Sequence, residues 1–97
     1  MNLLETLQAH KGGLICLKTQ LYWHDGRGYD GNPGRVCLIL DASPSTFSRA
    51  VARTPRTVST VPRGRWAAAF LLIDGQPQWI WAAEEDIELL VNDPPAN

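Results

Sequence analysis

The chain has no long apolar run, two cysteines and almost no net charge. No apolar stretch approaches the roughly 20 residues of a membrane-spanning helix, so we expect no membrane partner. The formal net charge of −1 and the pI near 6.0 argue against nucleic acid as the partner, because domains that bind it normally carry net positive charge. An apolar content of 44% and a charged content of 20% are instead typical of one folded globular domain.

The N-terminal residues lack the early positive charge and the long apolar segment of a secretory signal, so we expect a cytoplasmic protein. A reducing compartment favours free thiols at Cys16 and Cys37, although antiparallel pairing of their segments could bring the two together. His10 and His24 do not complete a zinc site with them, because no two of the four have the short spacing of structural sites. We therefore expect no metal and no cofactor.

A short helix and its cap are predicted over residues 1–13. Asn2 can cap the helix, and Glu5, three residues later, can bond back to the capping residue. Gly12 and Gly13 end it. Because two helical turns are not stable alone in water, we expect the helix leucines to pack over the end of a β core.

Five segments that follow have the composition of strands. The third and fourth are joined by Asp74 and Gly75, a strong hairpin signal because both central positions of a type I′ turn require φ > 0. We expect this turn to join the longest antiparallel pair of the protein. The predicted strands are 14–23, 35–41, 65–73, 76–81 and 87–91.

The connections between these strands indicate the fold. A long Gly/Asp loop follows the first strand, an Arg/Ser/Thr/Pro-rich insert spans 42–64, an acidic turn spans 82–86, and 92–97 form a tail. This layout predicts one mainly β domain over 1–97. We expect a five-stranded SH3-like small barrel with a short N-terminal helix and a long insert between strands 2 and 3. An OB-fold is the second choice, and the two-residue joint between the third and fourth strands disfavours it.

The C-terminal hairpin carries a motif that resembles the end of a group of small bacteriophage proteins. Asp74-Gly75 is followed by Trp79-x-Trp81 and by an E-x-D-[LI]-E sequence at 84–88, and residues 34–40 resemble their second strand. Such proteins occur in tailed phages, including those of cyanobacteria, and have no assigned function. The resemblance covers about half of the chain. It implies an SH3-like barrel and a viral origin, hence the host cytoplasm or the virion, and no catalytic residue.

Charge is segregated along the chain. Residues 42–73 contain five arginines and no acid, whereas the chain from Asp74 onward contains six acids and no lysine or arginine. In one interpretation the insert folds back on the acidic turn and the two neutralise each other. In the other, the arginines contact an acidic partner surface or a phosphate backbone, since a guanidinium can donate two parallel hydrogen bonds to either group.

The predicted partner surface combines aromatic and arginine side chains. Both long loops of an SH3-like barrel emerge at the same end, and aromatics and arginines contribute most of the binding energy at protein interfaces. The face with Trp79 and Trp81 is the alternative, although we expect these two to pack under the helix or against the insert. The predicted partner-binding residues are Tyr22, Trp23, Tyr29, Arg49, Arg53 and Arg56.

No arrangement of residues indicates catalysis. His24, Asp25 and Asp30 could cluster, but they belong to a Gly/Asp loop of the kind that forms turns. We therefore expect not an enzyme but a protein-interaction module, namely a phage effector that binds a host protein. A virion component, such as a tail, baseplate or decoration subunit, is the alternative, and a nucleic-acid-associated small barrel is the second alternative.

Overall fold

One short helix and seven strands make up the computed structural model, which describes residues 2–23, 25, 27–29, 33–43, 50–55 and 65–90. Helix α1 spans Leu3–Ala9, and a 3₁₀ helix at Glu84–Asp86 connects the last two strands. The strands are β1 (Leu14–Leu17), β2 (Tyr22–Trp23), β3 (Arg35–Ser43), β4 (Ala52–Arg53), β5 (Trp66–Ile73), β6 (Gln76–Ala83) and β7 (Ile87–Leu89).

These strands form one mixed sheet in the order β2-β4-β6-β5-β3-β1-β7. Strand β4 pairs with β6 in parallel, and the other neighbours pair antiparallel. The described strands do not close into a barrel. The mainly β class with a short N-terminal helix is confirmed.

Two strand predictions need correction. The predicted first strand, 14–23, is divided into β1 and β2, which lie toward opposite edges of the sheet. Polar residues 18–20 interrupt its apolar pattern, and the Lys18 N–H donates to the Asp86 carbonyl as the chain leaves β1. The predicted insert is also not a loop throughout, because β3 extends to Ser43 and β4 lies within it.

Helix α1 has the predicted cap, and its leucines pack in the core as predicted, but on a face of the sheet rather than over its end. The Glu5 N–H donates to Asn2 Oδ1 at 2.8 Å, and the Asn2 N–H donates to Glu5 Oε1 at 3.0 Å. Leu3 and Leu7 are buried in the main core, and the helix contacts β3 and β5. The helix therefore covers one face of the sheet and gains its stability from that packing.

The Asp74-Gly75 turn joins β5 and β6, the longest antiparallel pair among the described residues, as predicted. Both turn residues have positive φ, 51° at Asp74 and 79° at Gly75. Because side chains alternate along a strand, Ala67, Ala69 and Leu71 enter the core under α1, and the residues between them face the other side.

The two cysteines are free thiols, as predicted, and the register shows why. Cys37 lies opposite Ile15 on the core face, whereas Cys16 lies opposite Val36 on the other face. Since neighbouring positions of one strand point to opposite faces, the two sulfurs are separated by the sheet. Burial raises the pKa of the Cys37 thiol to about 11.

An aromatic cluster covers the face opposite α1. Trp81 packs with Ala50 and Ala68, and its ring centroid lies 4.4 Å from that of Trp66. Trp79 stacks on Phe70 with the ring centroids 4.8 Å apart, and it also packs against this cluster. Of the two expected positions for these tryptophans, under the helix or against the insert, the structure shows the second, at Ala50, and the helix lies on the other face. Among the described residues, no helix has the length and apolar character needed to cross a membrane.

Candidate functional site

The predicted site begins with a tight turn that returns from β2. The Trp23 N–H donates to the Arg27 carbonyl, and the Tyr29 N–H donates to the Leu21 carbonyl. Asp25 accepts hydrogen bonds from the Arg27 N–H at 2.9 Å and from Arg27 Nε at 2.6 Å. These bonds lower the pKa of the Asp25 carboxyl, the backbone N–H having the largest effect. Asp25 is therefore a turn-forming carboxylate.

Trp23 and Tyr29 stabilise the base of this turn. Their ring centroids are 4.4 Å apart, both rings are partly buried, and both pack against the main core. The Arg35 guanidinium lies 5.6 Å from the Tyr29 ring centroid, within cation–π distance. The Gln20 side-chain amide donates to the carbonyls of Leu21 and Tyr29. The two aromatic residues thus have a packing role within the fold.

Strand β4 brings Arg53 to the same edge. Tyr22 pairs with Arg53 and Trp23 with Ala52. The Thr54 N–H donates to the Trp81 carbonyl, and Thr54 Oγ1 accepts from the Ala83 N–H at 2.9 Å. Thr54 is fully buried, so this hydroxyl satisfies a main-chain donor that water does not reach and fixes β4 against β6.

The register sends the predicted residues to two faces. Ala52 lies beside Ile80 in the main core, so Trp23 points to the core side, whereas Arg53 lies beside Trp81 on the aromatic side together with Tyr22. The Tyr22 hydroxyl and the Arg53 guanidinium have no hydrogen-bond or ion-pair partner among the described residues. Among the predicted site residues, Tyr22 and Arg53 therefore form the pair whose polar groups are available for an intermolecular contact.

The predicted surface is brought together in part. Tyr22, Trp23, Tyr29 and Arg53 belong to one edge of the sheet. Arg49 and Arg56 lie outside the described residues. Gln20, Arg35 and Thr54 support this edge and were missed by sequence reasoning, because no local pattern distinguishes a supporting polar side chain from a solvated one.

One interpretation of the charge pattern, neutralisation between the arginines and the acidic turn, is confirmed at one arginine. Arg65 bonds the acidic turn, with Nη2 2.8 Å from Glu85 Oε2 and Nε 3.8 Å from Glu84 Oε2. Neutralisation therefore occurs at the end of the insert. Arg53 has no acidic partner among the described residues and is half-buried beside Tyr22.

Within the described part of the chain, no group of three or more His, Cys, Asp or Glu side chains could hold a metal ion. His24 and Asp30, two members of the cluster considered for general-base chemistry, lie outside the described residues. No family model, curated protein or solved structure matches this chain significantly.

Proposed function

We propose that this chain is a non-catalytic protein-interaction module of phage origin, an effector that binds a host protein through the β2–β4 edge. The observation that carries the proposal is the pairing of Tyr22 with Arg53, which sets a phenol and an unpaired guanidinium side by side on one face. Tyrosine and arginine are enriched in binding hot spots, and arginine recognises carboxylates with two hydrogen bonds. An acidic protein surface fits this pair.

The strand order supports an SH3-like scaffold for this module. Five neighbouring strands of the sheet are, in order, β7, β1, β3, β5 and β6. They correspond to the predicted strands 5, 1, 2, 3 and 4. The first predicted strand therefore lies beside the last, which is the neighbour relation found in a small barrel of this strand order. The 3₁₀ helix before the last strand lies at the predicted acidic turn. In this interpretation β2 and β4 are additions at one edge.

The experiment is affinity capture from a bacterial host lysate followed by mass spectrometry. Parent chain, a Tyr22→Ala/Arg53→Ala double variant and a Lys18→Ala control, which removes an exposed cation at the other end of the sheet, are compared at equal loading. We expect a host protein that the parent and the control capture and that the double variant loses by about tenfold or more. Equal capture by all three folded chains would contradict the proposed surface.

A specific observation also favours the virion alternative. On the face opposite α1, Leu14 is 44% exposed, Val36 53% and Leu90 36%. Neighbouring exposed aliphatic residues are typical of surfaces that associate. A virion subunit should assemble symmetrically, whereas an effector should be a monomer or dimer in sedimentation velocity. An assembly larger than a dimer that Val36→Lys dissociates would support the virion role over the effector role.

A further inference from the structure

The β7 edge of the sheet presents main-chain groups that β1 does not use. The Leu90 N–H donates to the Leu14 carbonyl and the Lys18 N–H to the Asp86 carbonyl, so even-numbered residues of this segment bond β1. In an antiparallel pair the residues between them direct their groups the other way. The Leu89 N–H and carbonyl and the Ile87 carbonyl therefore point outward, and none of these three groups has a partner among the described residues.

The opposite edge of the sheet differs in this respect. Tyr22 forms a bridge with Gly28, and the Trp23 N–H donates to the Arg27 carbonyl, so the turn after β2 occupies that edge. Strand β7 has no such cover in the described part of the chain. With respect to the described residues, its main-chain groups are therefore open to an added strand.

Two surface cavities flank β7, and Leu89 lines both. One of about 250 Å³ lies between α1 and β7, with Leu3 and Ile87 in its wall. The other, of about 490 Å³, lies beyond the end of the strand, with Leu14 and Leu90 in its wall. Recognition by strand addition uses this combination, in which main-chain hydrogen bonds supply affinity and cavities for alternate side chains supply specificity.

The two cavities have side chains of opposite charge in their walls, each also in an exposed ion pair. Glu84 lines the one beside α1, and its Oε2 lies 3.8 Å from Arg65 Nε. Lys11 lines the other, and its Nζ lies 3.4 Å from Asp41 Oδ1. A strand that runs antiparallel to β7 begins near Lys11 and ends near Glu84. An acidic residue toward the N-terminus of the added strand therefore complements Lys11, and a basic residue toward its C-terminus complements Glu84.

We propose that the β7 edge binds an extended segment of a partner protein as an added antiparallel strand, with apolar residues at alternate positions between an acidic and a basic residue. The residues opposite Leu89 and Ile87 direct their side chains to the α1 side, where Leu3 and Ile87 form the apolar wall of the smaller cavity. A second copy of this chain is disfavoured in one register. The register that pairs Ile87 with Leu89 of a copy sets Glu88 against its equivalent, and like charges directly opposite are destabilising.

The probe is the synthetic peptide acetyl-Glu-Thr-Val-Thr-Val-Thr-Lys-amide, added to the full-length ¹⁵N-labelled chain. We expect a shift of the Leu89 amide resonance and at least tenfold slower hydrogen exchange of that amide at saturation. A peptide with the Glu and Lys exchanged should bind about threefold to tenfold more weakly, the effect of two exposed charge pairs. The Tyr22→Ala/Arg53→Ala variant should bind the peptide as the parent does, which separates this site from the β2–β4 edge.

N-methylation of the peptide tests the strand geometry without altering the protein. Methyl groups on the two Val amides, which face β7, should abolish binding, whereas methyl groups on the Thr amides between and after them, which face solvent, should not. Equal effects of the two modifications would overturn the proposal, as would an unchanged Leu89 amide at about 1 mM peptide. A Leu89 amide already protected in the free chain would also overturn it, because the edge would then be covered by the chain itself or by a second copy.

Discussion

The two ends of the sheet are held by different forces. At the β7 end, large aliphatic side chains of the neighbouring strands β1 and β7 enter the main core, among them Ile15, Leu17 and Ile87. At the β2–β4 end, small side chains and a few hydrogen bonds hold the strands together, with Ala52 and Thr54 at the centre. The β7 end therefore presents main-chain groups and the β2–β4 end presents side chains, and we expect the β2–β4 end to open at the lower free energy.

The largest effect is expected under helix α1, which packs on β3 and β5. Leu7→Ala removes a fully buried side chain between α1 and the sheet and should lower the free energy of unfolding by about 2–5 kcal/mol in urea titration. Leu4→Ala, at a partly buried position of the same helix, is the control and should have a clearly smaller effect. Similar losses at the two positions would mean that α1 is not held on the sheet through Leu7.

The Cys37 thiol reports on the β1–β3 region. Burial raises its pKa from 9.0 to about 11, so at pH 8 it holds about a hundredfold less thiolate than an ordinary cysteine. Because the thiolate is the nucleophile, iodoacetamide should modify Cys16 first in the folded chain. The Cys37 rate should rise with pH up to about 11. Peptide mass spectrometry measures both rates, and equal rates at pH 8 would show that the β1–β3 region is open.

A smaller loss is expected at the β2–β4 end. Thr54→Val removes the oxygen that accepts the Ala83 N–H and should lower the free energy of unfolding by about 1–3 kcal/mol, because a buried donor loses its partner. Thr54→Ser keeps the hydroxyl and is the matched control. If serine and valine destabilise equally, the methyl packing of Thr54 matters more than its hydrogen bond.

The smallest effect concerns the exposed ion pair of the acidic turn. Arg65→Ala should lower the free energy of unfolding by about 0.2–1 kcal/mol, and about 1 M salt should remove most of the difference from the parent. Paired urea titrations at low and high salt measure it. A loss that salt leaves unchanged would assign Arg65 a packing role.

Features set by neighbouring residues could be predicted from the sequence. The cap of α1 depends on Asn2 and Glu5, and the hairpin on Asp74 and Gly75, so each is encoded within a few positions. Strand β4 could not be predicted, because a two-residue strand is specified by its partners β2 and β6 rather than by its own composition. The division of the predicted first strand has the same cause.

In the candidate site too, features set by local order could be predicted, and features set by distant partners could not. That Tyr22 and Arg53 come together could be predicted from the order of the loops. That Tyr22 and Trp23 point to opposite faces follows from alternation, but which of them faces the core depends on the pairing of Trp23 with Ala52. The supporting contacts of Gln20 and Arg35 join distant segments and leave no local signal.

Native-state amide hydrogen exchange tests the comparison of the two ends most directly. The Val51 and Thr54 amides donate to carbonyls of β6, and those of Cys37 and Ile39 lie in the central β3 ladder. We expect Val51 and Thr54 to exchange through local opening at a free energy about 2 kcal/mol or more below that of Cys37 and Ile39, which should exchange by global unfolding. Equal opening free energies for the two sets would contradict the account.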